Sequence, residues 1–163
     1  MEVKRLNRRY YKKLHKLLCA LDKESEYMLF DDGERNITEE EVHKILSNSI
    51  EDSIFIGAFK GEELIGYLSS FRGKYNRIRH VSYNVIGIRD GYRGKGIGRK
   101  LFEELFVWAN ENSIKRLELT VVCNNTIAIN LYKKVGFKVE GLKKKSILKD
   151  DIYYDEYYMS KIL

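Results

Sequence analysis

An apolar segment, a glycine-rich turn and the start of a helix follow one another in residues 86–100, which read IGIRDGYRGKGIGRK. The glycines of this turn let the backbone approach a bulky ligand closely, because no side chain stands in the way. The free N–H groups of the first helical turn and the helix dipole form an anion site. Arg93, Lys95 and Arg99 add positive charge beside it. The segment therefore predicts a site for a pyrophosphate group.

Two common nucleotide-binding patterns do not fit this segment. A P-loop requires a lysine directly after its last glycine, whereas Ile97 follows Gly96 here. A dinucleotide-binding fingerprint requires G-x-G-x-x-G, and the third glycine of this turn comes one residue early. The preceding strand also lies in mid-chain, without the acidic residue that is expected after the next strand. Both nucleotide-binding folds are therefore disfavoured.

The hydrophobic periodicity on either side of this segment predicts a layered α/β domain. A first helix is expected from about Arg8 to Leu21, and Thr38 opens a second one through a capping box with Glu41. Strands and helices then follow one another at a spacing that favours a mixed αβ sheet with some parallel pairing. The predicted strands cover residues 3–6, 54–59, 64–70, 81–88, 116–122, 138–143 and 152–163, and two further helices cover residues 96–112 and about 125–135. No linker or repeat divides the chain, so residues 1–163 are expected to form a single domain.

The composition excludes several classes of protein. The chain has 163 residues, two cysteines and three histidines. Two cysteines are too few for a disulfide-built secreted domain, and the histidines lie too far apart in sequence to predict a metal site. The longest apolar run near the N-terminus, Leu17–Leu21, is five residues long, too short for a signal sequence or a membrane span. A soluble cytoplasmic protein with neither metal nor membrane partner is expected.

The net charge of +6 indicates an attraction to anions without naming one. Nucleic-acid binding would rest on this charge alone. The sequence has no helix-turn-helix pattern, no zinc-finger pattern and no aromatic residues interleaved on a basic sheet face. No nucleic-acid partner is therefore predicted.

A second block, residues 125–137, reads NTIAINLYKKVGF. This block has the form N-x-x-A-x-x-L-Y-x-x-x-G-F, and Arg93, Gly96 and Gly98 form R-x-x-G-x-G before it. Together the two blocks resemble the GCN5-related N-acetyltransferase (GNAT) family. The resemblance covers the chain from about residue 54 onward, and the first 50 residues only in their strand–helix–helix order. It implies a GNAT-like central mixed sheet of about six to seven strands, splayed in the middle and flanked by about four helices.

The resemblance implies that acetyl-coenzyme A (acetyl-CoA) is the co-substrate. Its pyrophosphate would lie on the backbone amides of Arg93–Gly98, and its pantetheine arm would bond the unpaired strand at Val85–Ile88. Asn125 would contact it at the start of the helix in the second block, and Tyr132 would protonate the departing thiolate as general acid. The implied cofactor-binding residues are Val85, Ile86, Ile88, Arg93, Gly94, Lys95, Gly96, Ile97, Gly98, Arg99, Lys100, Asn125 and Tyr132.

The general base is not fixed by the resemblance. Several members of the family place a glutamate on one of the two strands that flank the site, at positions that fall near Ser82 and Thr120 here. Glu118 is the nearest carboxylate, on the same strand face as Thr120 and roughly 7 Å away, which makes it the catalytic candidate. A water chain that ends on Tyr83, His80 or a carboxylate is an equal alternative.

The acceptor of the acetyl group also stays open. A protein N-terminus, an amino acid, a polyamine or another small amine would each suit the resemblance, and either a monomer or a homodimer is expected. The basic loop Phe71–Arg79 favours an acidic or carboxylate-bearing acceptor. The alternative function is a non-catalytic acyl-CoA-binding module of the same fold, which the unassigned base would favour.

Overall fold

The computed structural model describes residues 1–48 and 52–163. Within them, seven strands form one sheet in the order β1-β2-β3-β4-β5-β7-β6, flanked by four α-helices. The strands are β1 (Glu2–Arg5), β2 (Ser53–Lys60), β3 (Glu63–Arg72), β4 (Val81–Ile88), β5 (Arg116–Val122), β6 (Lys138–Lys149) and β7 (Ile152–Ile162). The helices are α1 (Tyr11–Glu24), α2 (Glu39–Ser47), α3 (Ile97–Glu111) and α4 (Thr126–Lys134). The predicted mixed αβ sheet is confirmed.

The helices cover both faces of the sheet because each has an apolar stripe at helical spacing. One hydrophobic cluster joins the sheet to α3 and α4, with Leu101, Phe102 and Leu105 fully buried at its centre. The other cluster joins the opposite face to α1 and α2 through residues such as Leu14 and Leu17. The sheet is therefore buried on both faces over much of its width.

The central pair of strands separates part-way along its length. β4 and β5 run parallel and pair only through Val81–Tyr83 and Arg116–Glu118. Beyond that point β4 stays paired with β3 as far as Ile88, and β5 stays paired with β7 as far as Val122. We call the opening between Asn84–Ile88 and Leu119–Val122 the fork. The splayed sheet that the resemblance implied is confirmed.

The helix caps show how the first two helices begin. Thr38 and Glu41 form the predicted capping box, in which the Thr38 hydroxyl accepts from the Glu41 amide and the Glu41 carboxylate accepts from the Thr38 amide. The first helix begins later than predicted. Asn7 Oδ1 accepts from the Arg9 amide at 3.0 Å and caps a single 3-10 turn, Arg8–Tyr10, which leads into α1 at Tyr11.

Strand β6 continues to Lys149, six residues beyond the predicted end at Lys143. Its register against β7 shifts between Lys143 and Ile147. Within that irregularity Lys145 has a left-handed backbone (φ 50°), and its amide donates to Asp155 Oδ1 at 2.7 Å. The bulge lets the strand pass a lysine-rich segment and resume its pairing, which a local hydrophobic pattern does not reveal.

Replacing Phe102 by alanine tests the α3–α4 core. The Phe102 ring is fully buried and packs edge-on against Tyr132 at 5.9 Å and Phe137 at 5.5 Å, measured between ring centroids. Phe102→Ala should lower the free energy of unfolding by about 3–5 kcal/mol in urea denaturation. Phe71→Ala, at a position that is 43% exposed, should cost about 1 kcal/mol and serves as the control. Equal losses for the two variants would contradict this description of the core.

Candidate functional site

The glycine-rich turn between β4 and α3 adopts a backbone that other residues rarely take. Gly91, Gly94 and Gly96 have φ angles of 77°, 73° and 77°, in the left-handed region. A Cβ atom added to Gly94 or Gly96 would meet no other heavy atom within 4 Å. The backbone thus requires glycine, and the space beside it is open to a ligand. Gly96 is also the N-cap of α3, so no side chain caps the first N–H groups of that helix.

The basic side chains of the turn divide into two groups. Arg93 Nε donates to the Ile88 carbonyl at 3.0 Å, and Lys95 Nζ donates to the Gly91 carbonyl at 2.7 Å. These two contacts hold the turn in shape. The Arg99 side chain is 76% exposed and pairs with Glu103 one turn along α3. The backbone amides therefore form the inner surface of the anion site, with the positive charge around it.

A salt bridge that the sequence analysis missed anchors the turn to the opposite helix layer. Arg89 donates to Glu24 Oε1 from Nη2 at 2.7 Å, and the Asp90 amide donates to Glu24 Oε2 at 3.0 Å. The hydrogen bond from Arg89 lowers the pKa of Glu24, which keeps the carboxylate charged. Because Glu24 and Arg89 are 65 residues apart, no local pattern could predict this contact.

Asn84 closes the narrow end of the fork. Its side-chain nitrogen donates to the Glu118 carbonyl at 2.9 Å and to the Ser82 carbonyl at 3.3 Å. Carbonyl oxygens only accept, so the orientation of the amide is fixed. Asn84 Oδ1 is then left buried without a partner among the described residues, in a side chain that is 4% exposed. A buried acceptor is stabilised by a ligand N–H, so the fork fits a ligand that carries amide groups, as the pantetheine arm does.

The residues predicted to bind the pantetheine arm lie along one side of the fork. Ile86 and Ile88 pack partly against the α3–α4 cluster, and Val85 packs against the α1–α2 cluster. Their strand uses one edge to pair with β3 and turns the other edge towards the fork. The structure thus brings the strand and the glycine-rich turn together in one continuous path.

Helix α4 flanks the fork on the β5 side. Asn125 Oδ1 accepts from the Ala128 amide at 3.2 Å and caps the helix at the wide end of the fork. A Cβ atom on Gly98 would lie 2.5 Å from Leu131 Cδ2, so α3 and α4 approach closely at the anion site. Gly98 therefore has a packing role in addition to the backbone contact predicted for it. Lys100 continues the first turn of α3, with its amide bonded to the Gly96 carbonyl at 3.3 Å.

Tyr132 lies on α4 with its ring in the aromatic core. It is 7% exposed and packs against Phe102 and Phe137. Burial raises the pKa of the phenol above its ordinary value, and the neighbouring Tyr83 raises it further. The phenol therefore keeps its proton at any pH at which an amine is acetylated, and it can act as a hydrogen-bond donor.

A cavity of about 470 Å³ lies at the narrow end of the fork. Its walls include Tyr83, Glu118 and Leu119, which are the residues at which β4 and β5 part. The Tyr83 hydroxyl forms a hydrogen bond with Thr120 Oγ1 at 2.9 Å. His80, the alternative end of a water chain, is not among the described residues that line this cavity. The cavity therefore adjoins the end of the fork at which β4 and β5 part.

Glu118, the candidate base, is held in an ion-pair network in the wall of this cavity. Arg116 Nε donates to Glu118 Oε1 at 2.5 Å, and the terminal nitrogens of Arg116 donate to both carboxylate oxygens of Glu140. Ser160 Oγ also donates to Glu140, at 2.6 Å. The Arg116 and Ser160 hydrogen bonds lower the pKa of Glu140 to about 2. The sequence analysis missed Arg116, Glu140 and Ser160, because pairing through β7 brings them together.

Comparison with known proteins agrees with this arrangement. A model of the acetyltransferase (GNAT) family matches residues 12–137. The chain belongs to this family. Among solved structures, the acetyltransferase of GNAT family from Streptococcus pneumoniae has a TM-score of 0.95 at 27% identity, over 99% of each chain. The fold of yncA from Salmonella typhimurium, solved with acetyl-CoA, is also similar, with a TM-score of 0.89 at 16% identity over 100% of this chain and 94% of that one.

Curated relatives match over part of their length. The L-amino acid N-acetyltransferase AaaT of Escherichia coli is 33% identical over 101 residues, which is 61% of this chain and 62% of the relative. The N-alpha-acetyltransferase RimI of Mycobacterium tuberculosis is 36% identical over 93 residues, 56% of each protein. The chain thus spans about three fifths of the length of these GNAT relatives, and their names specify different acceptors.

Other possible sites lie away from the GNAT fork. A second cavity, of about 480 Å³, is lined by residues of α2 and the loop before it, including Phe30, Arg35 and Ile45.

Across residues 1–48 and 52–163, no group of three or more His, Cys, Asp or Glu side chains is arranged to hold a metal ion. In the same part of the chain, no helix is long and apolar enough to cross a membrane.

A glutamate at Gly96 tests the anion site. Gly96→Glu puts a side chain and a negative charge where the pyrophosphate would lie, so CoA affinity in calorimetry should fall at least about 100-fold. Gly33→Glu is the matched control, because Gly33 has a similar φ of 80° and equally open space in a distant loop. Unchanged affinity in Gly96→Glu would remove the turn from the binding site.

Proposed function

We propose that this protein is an acetyl-CoA-dependent N-acetyltransferase that moves an acetyl group to a primary amine. The observation that carries the proposal is the fork, which leads from the glycine-rich turn to a cavity beside Glu118 and Tyr83. Membership of the GNAT family and the names of the relatives AaaT and RimI support it. A cytoplasmic location and action as a monomer or homodimer stay predictions.

The binding roles follow the path of the fork. Backbone amides of Arg93–Gly98 bind the pyrophosphate, and Arg99 and Lys100 add positive charge outside them. The free edge of Val85–Ile88 bonds the amide groups of the pantetheine arm, as an added strand would. Asn125 contacts the arm at the wide end of the fork. In this proposed binding mode the reactive end of the ligand lies at the narrow end of the fork, next to the cavity.

Acetyl-CoA supplies a thioester carbonyl that a neutral amine can attack. A backbone N–H at the narrow end of the fork stabilises the negative charge that develops on the carbonyl oxygen. Tyr132 donates a hydrogen bond to the sulfur as the C–S bond breaks. Because the pKa of Tyr132 is raised, its proton passes to the departing thiolate only late, as the C–S bond breaks, and the phenol is restored by the proton that the amine nitrogen loses.

The amine enters from the cavity and must lose a proton before or during attack. Glu118 is the carboxylate in the cavity wall that lies at the parting of the strands, so we assign it the role of proton acceptor. Arg116 fixes the position of the Glu118 carboxylate through the hydrogen bond from its Nε. A water chain past Tyr83 is the other route for the proton.

A non-catalytic acyl-CoA-binding module is the second candidate function. The observation in its favour is the ion pair between Arg116 and Glu118, because it engages the candidate base. Both candidates bind the coenzyme, so a binding measurement does not separate them. Release of free CoA thiol from acetyl-CoA in the presence of a panel of amines separates them, because only an acetyltransferase gives amine-dependent release.

Removing the Tyr132 hydroxyl tests the proposed donor. Tyr132→Phe should lower kcat by about 10²-fold or more in the thiol-release assay, while CoA affinity in calorimetry stays within about twofold. The buried ring keeps its packing, so the change isolates the hydroxyl. Tyr10→Phe, on the other side of the sheet beside Phe59, is the control and should leave kcat unchanged. A wild-type kcat in Tyr132→Phe would exclude Tyr132 from the reaction.

Replacing the Glu118 carboxylate by an amide tests the proposed base through pH dependence. Glu118→Gln should lower kcat/KM about tenfold or more near neutral pH, and the defect should shrink as the pH approaches the pKa of the amine. The reason is that a deprotonated amine no longer needs a proton acceptor. The control is Glu104→Gln, which removes an α3 carboxylate that pairs with Arg5. It should match the wild type. A defect independent of pH would assign Glu118 a structural role only.

A further inference from the structure

The charged side chains in the wall of the cavity are one arginine and two glutamates. Arg116 lies between Glu118 and Glu140 and donates to both. One positive and two negative groups leave the described wall with an excess of one negative charge. This excess faces whatever amine enters the cavity.

Arg116 has no edge left for a substrate carboxylate. A carboxylate binds arginine best through two parallel N–H donors on one edge of the guanidinium. Glu140 occupies the edge made by the two terminal nitrogens. The other edge includes Nε, and Glu118 occupies that donor. An incoming carboxylate therefore finds single donors at most, between two groups of its own charge.

The Glu140 carboxylate is a permanent part of this wall. It accepts from Ser160 Oγ at 2.6 Å as well as from Arg116. These hydrogen bonds lower the pKa of Glu140 to about 2, so it stays charged at any pH at which an amine reacts. Glu140 therefore contributes a fixed negative charge to the wall.

Lys143, Arg72 and Arg79 already have partners of their own. Lys143 approaches the Tyr158 ring at 6.0 Å, but it also lies 3.5 Å from Glu156 Oε2. In the basic loop before β4, Arg72 Nε donates to the Arg79 carbonyl at 2.5 Å, and Arg79 pairs with Asp52 at 2.8 Å. These cations are held by contacts of their own, which weakens the expectation of a carboxylate-bearing acceptor.

We propose that the cavity selects amines that have no carboxylate next to the amino group, such as a peptide N-terminus or a polyamine, over free amino acids. This specificity rests on the N-acetyltransferase function proposed above. An ammonium group is attracted by the negative wall and by the exposed aromatic side chain of Tyr83. An α-carboxylate is repelled by Glu118 and Glu140 in the same space.

L-Alaninamide and L-alanine are the probes, because they differ only in the carboxylate. In the thiol-release assay the wild type should prefer the amide by at least about tenfold in kcat/KM. Glu140→Gln removes one negative charge and frees a guanidinium nitrogen, so the preference should fall at least about tenfold relative to the wild type. Comparing the two proteins cancels the different intrinsic reactivity of the two amines. The control is Glu111→Gln, which removes an α3 carboxylate that pairs with Arg5. It should keep the wild-type preference.

Two results of the thiol-release assay would overturn the proposed specificity: a wild type that prefers alanine, or a preference that Glu140→Gln leaves unchanged. Calorimetry of the same two ligands with the CoA complex makes the comparison without turnover, and tighter binding of alanine would also overturn it. A lack of thiol release with every amine, together with tighter binding of alaninamide, would refute the proposed acetyltransferase function and leave the selectivity of the cavity standing. The two proposals therefore fail separately.

Discussion

The hydrogen bond from the Asn84 side chain to the Glu118 carbonyl marks the place where two parallel strands stop pairing. Backbone groups inside a sheet normally satisfy one another, and leaving them unpaired is unfavourable unless another partner arrives. A side-chain amide ends the ladder here and leaves the next peptide groups of β4 facing an opening. The anion site lies beyond one end of this opening and the charged cavity at the other. The separation of the strands thus determines the position and direction of everything else in the site.

The sequence predicted those parts of the site that are encoded over a few residues. A glycine-rich turn that leads into α3 follows from the glycine spacing after an apolar strand, and the structure adds that Gly94 and Gly96 are left-handed. The helix that begins after Asn125 follows from the pattern of the second block. The fork was anticipated only through the family resemblance, because hydrophobic pattern alone makes β4 and β5 two ordinary buried strands.

The remaining features depend on contacts between distant segments. Arg116 and Glu140 are 24 residues apart in sequence, and the register of β5, β7 and β6 brings them together. The bulge at Lys145, which carries β6 beyond its predicted end at Lys143, also depends on a distant residue. Its amide donates to Asp155 on β7. Glu118 was predicted as the base from its position on one face of the strand, and that position does not reveal its ion pair with Arg116. The contacts of charged side chains in a sheet can therefore be predicted only after the strand register is known.

The close approach of Gly98 to Leu131 has a mechanical consequence. At that point only the Leu131 side chain separates the first turn of α3 from α4, and Tyr132 directly follows Leu131. A displacement of α3 by even part of an ångström must push α4 in the same direction, because packed interiors have little free volume. The first turn of α3, where the pyrophosphate is proposed to bind, is therefore mechanically coupled to Tyr132 on α4, so that a shift at the proposed binding site would also move the proposed proton donor.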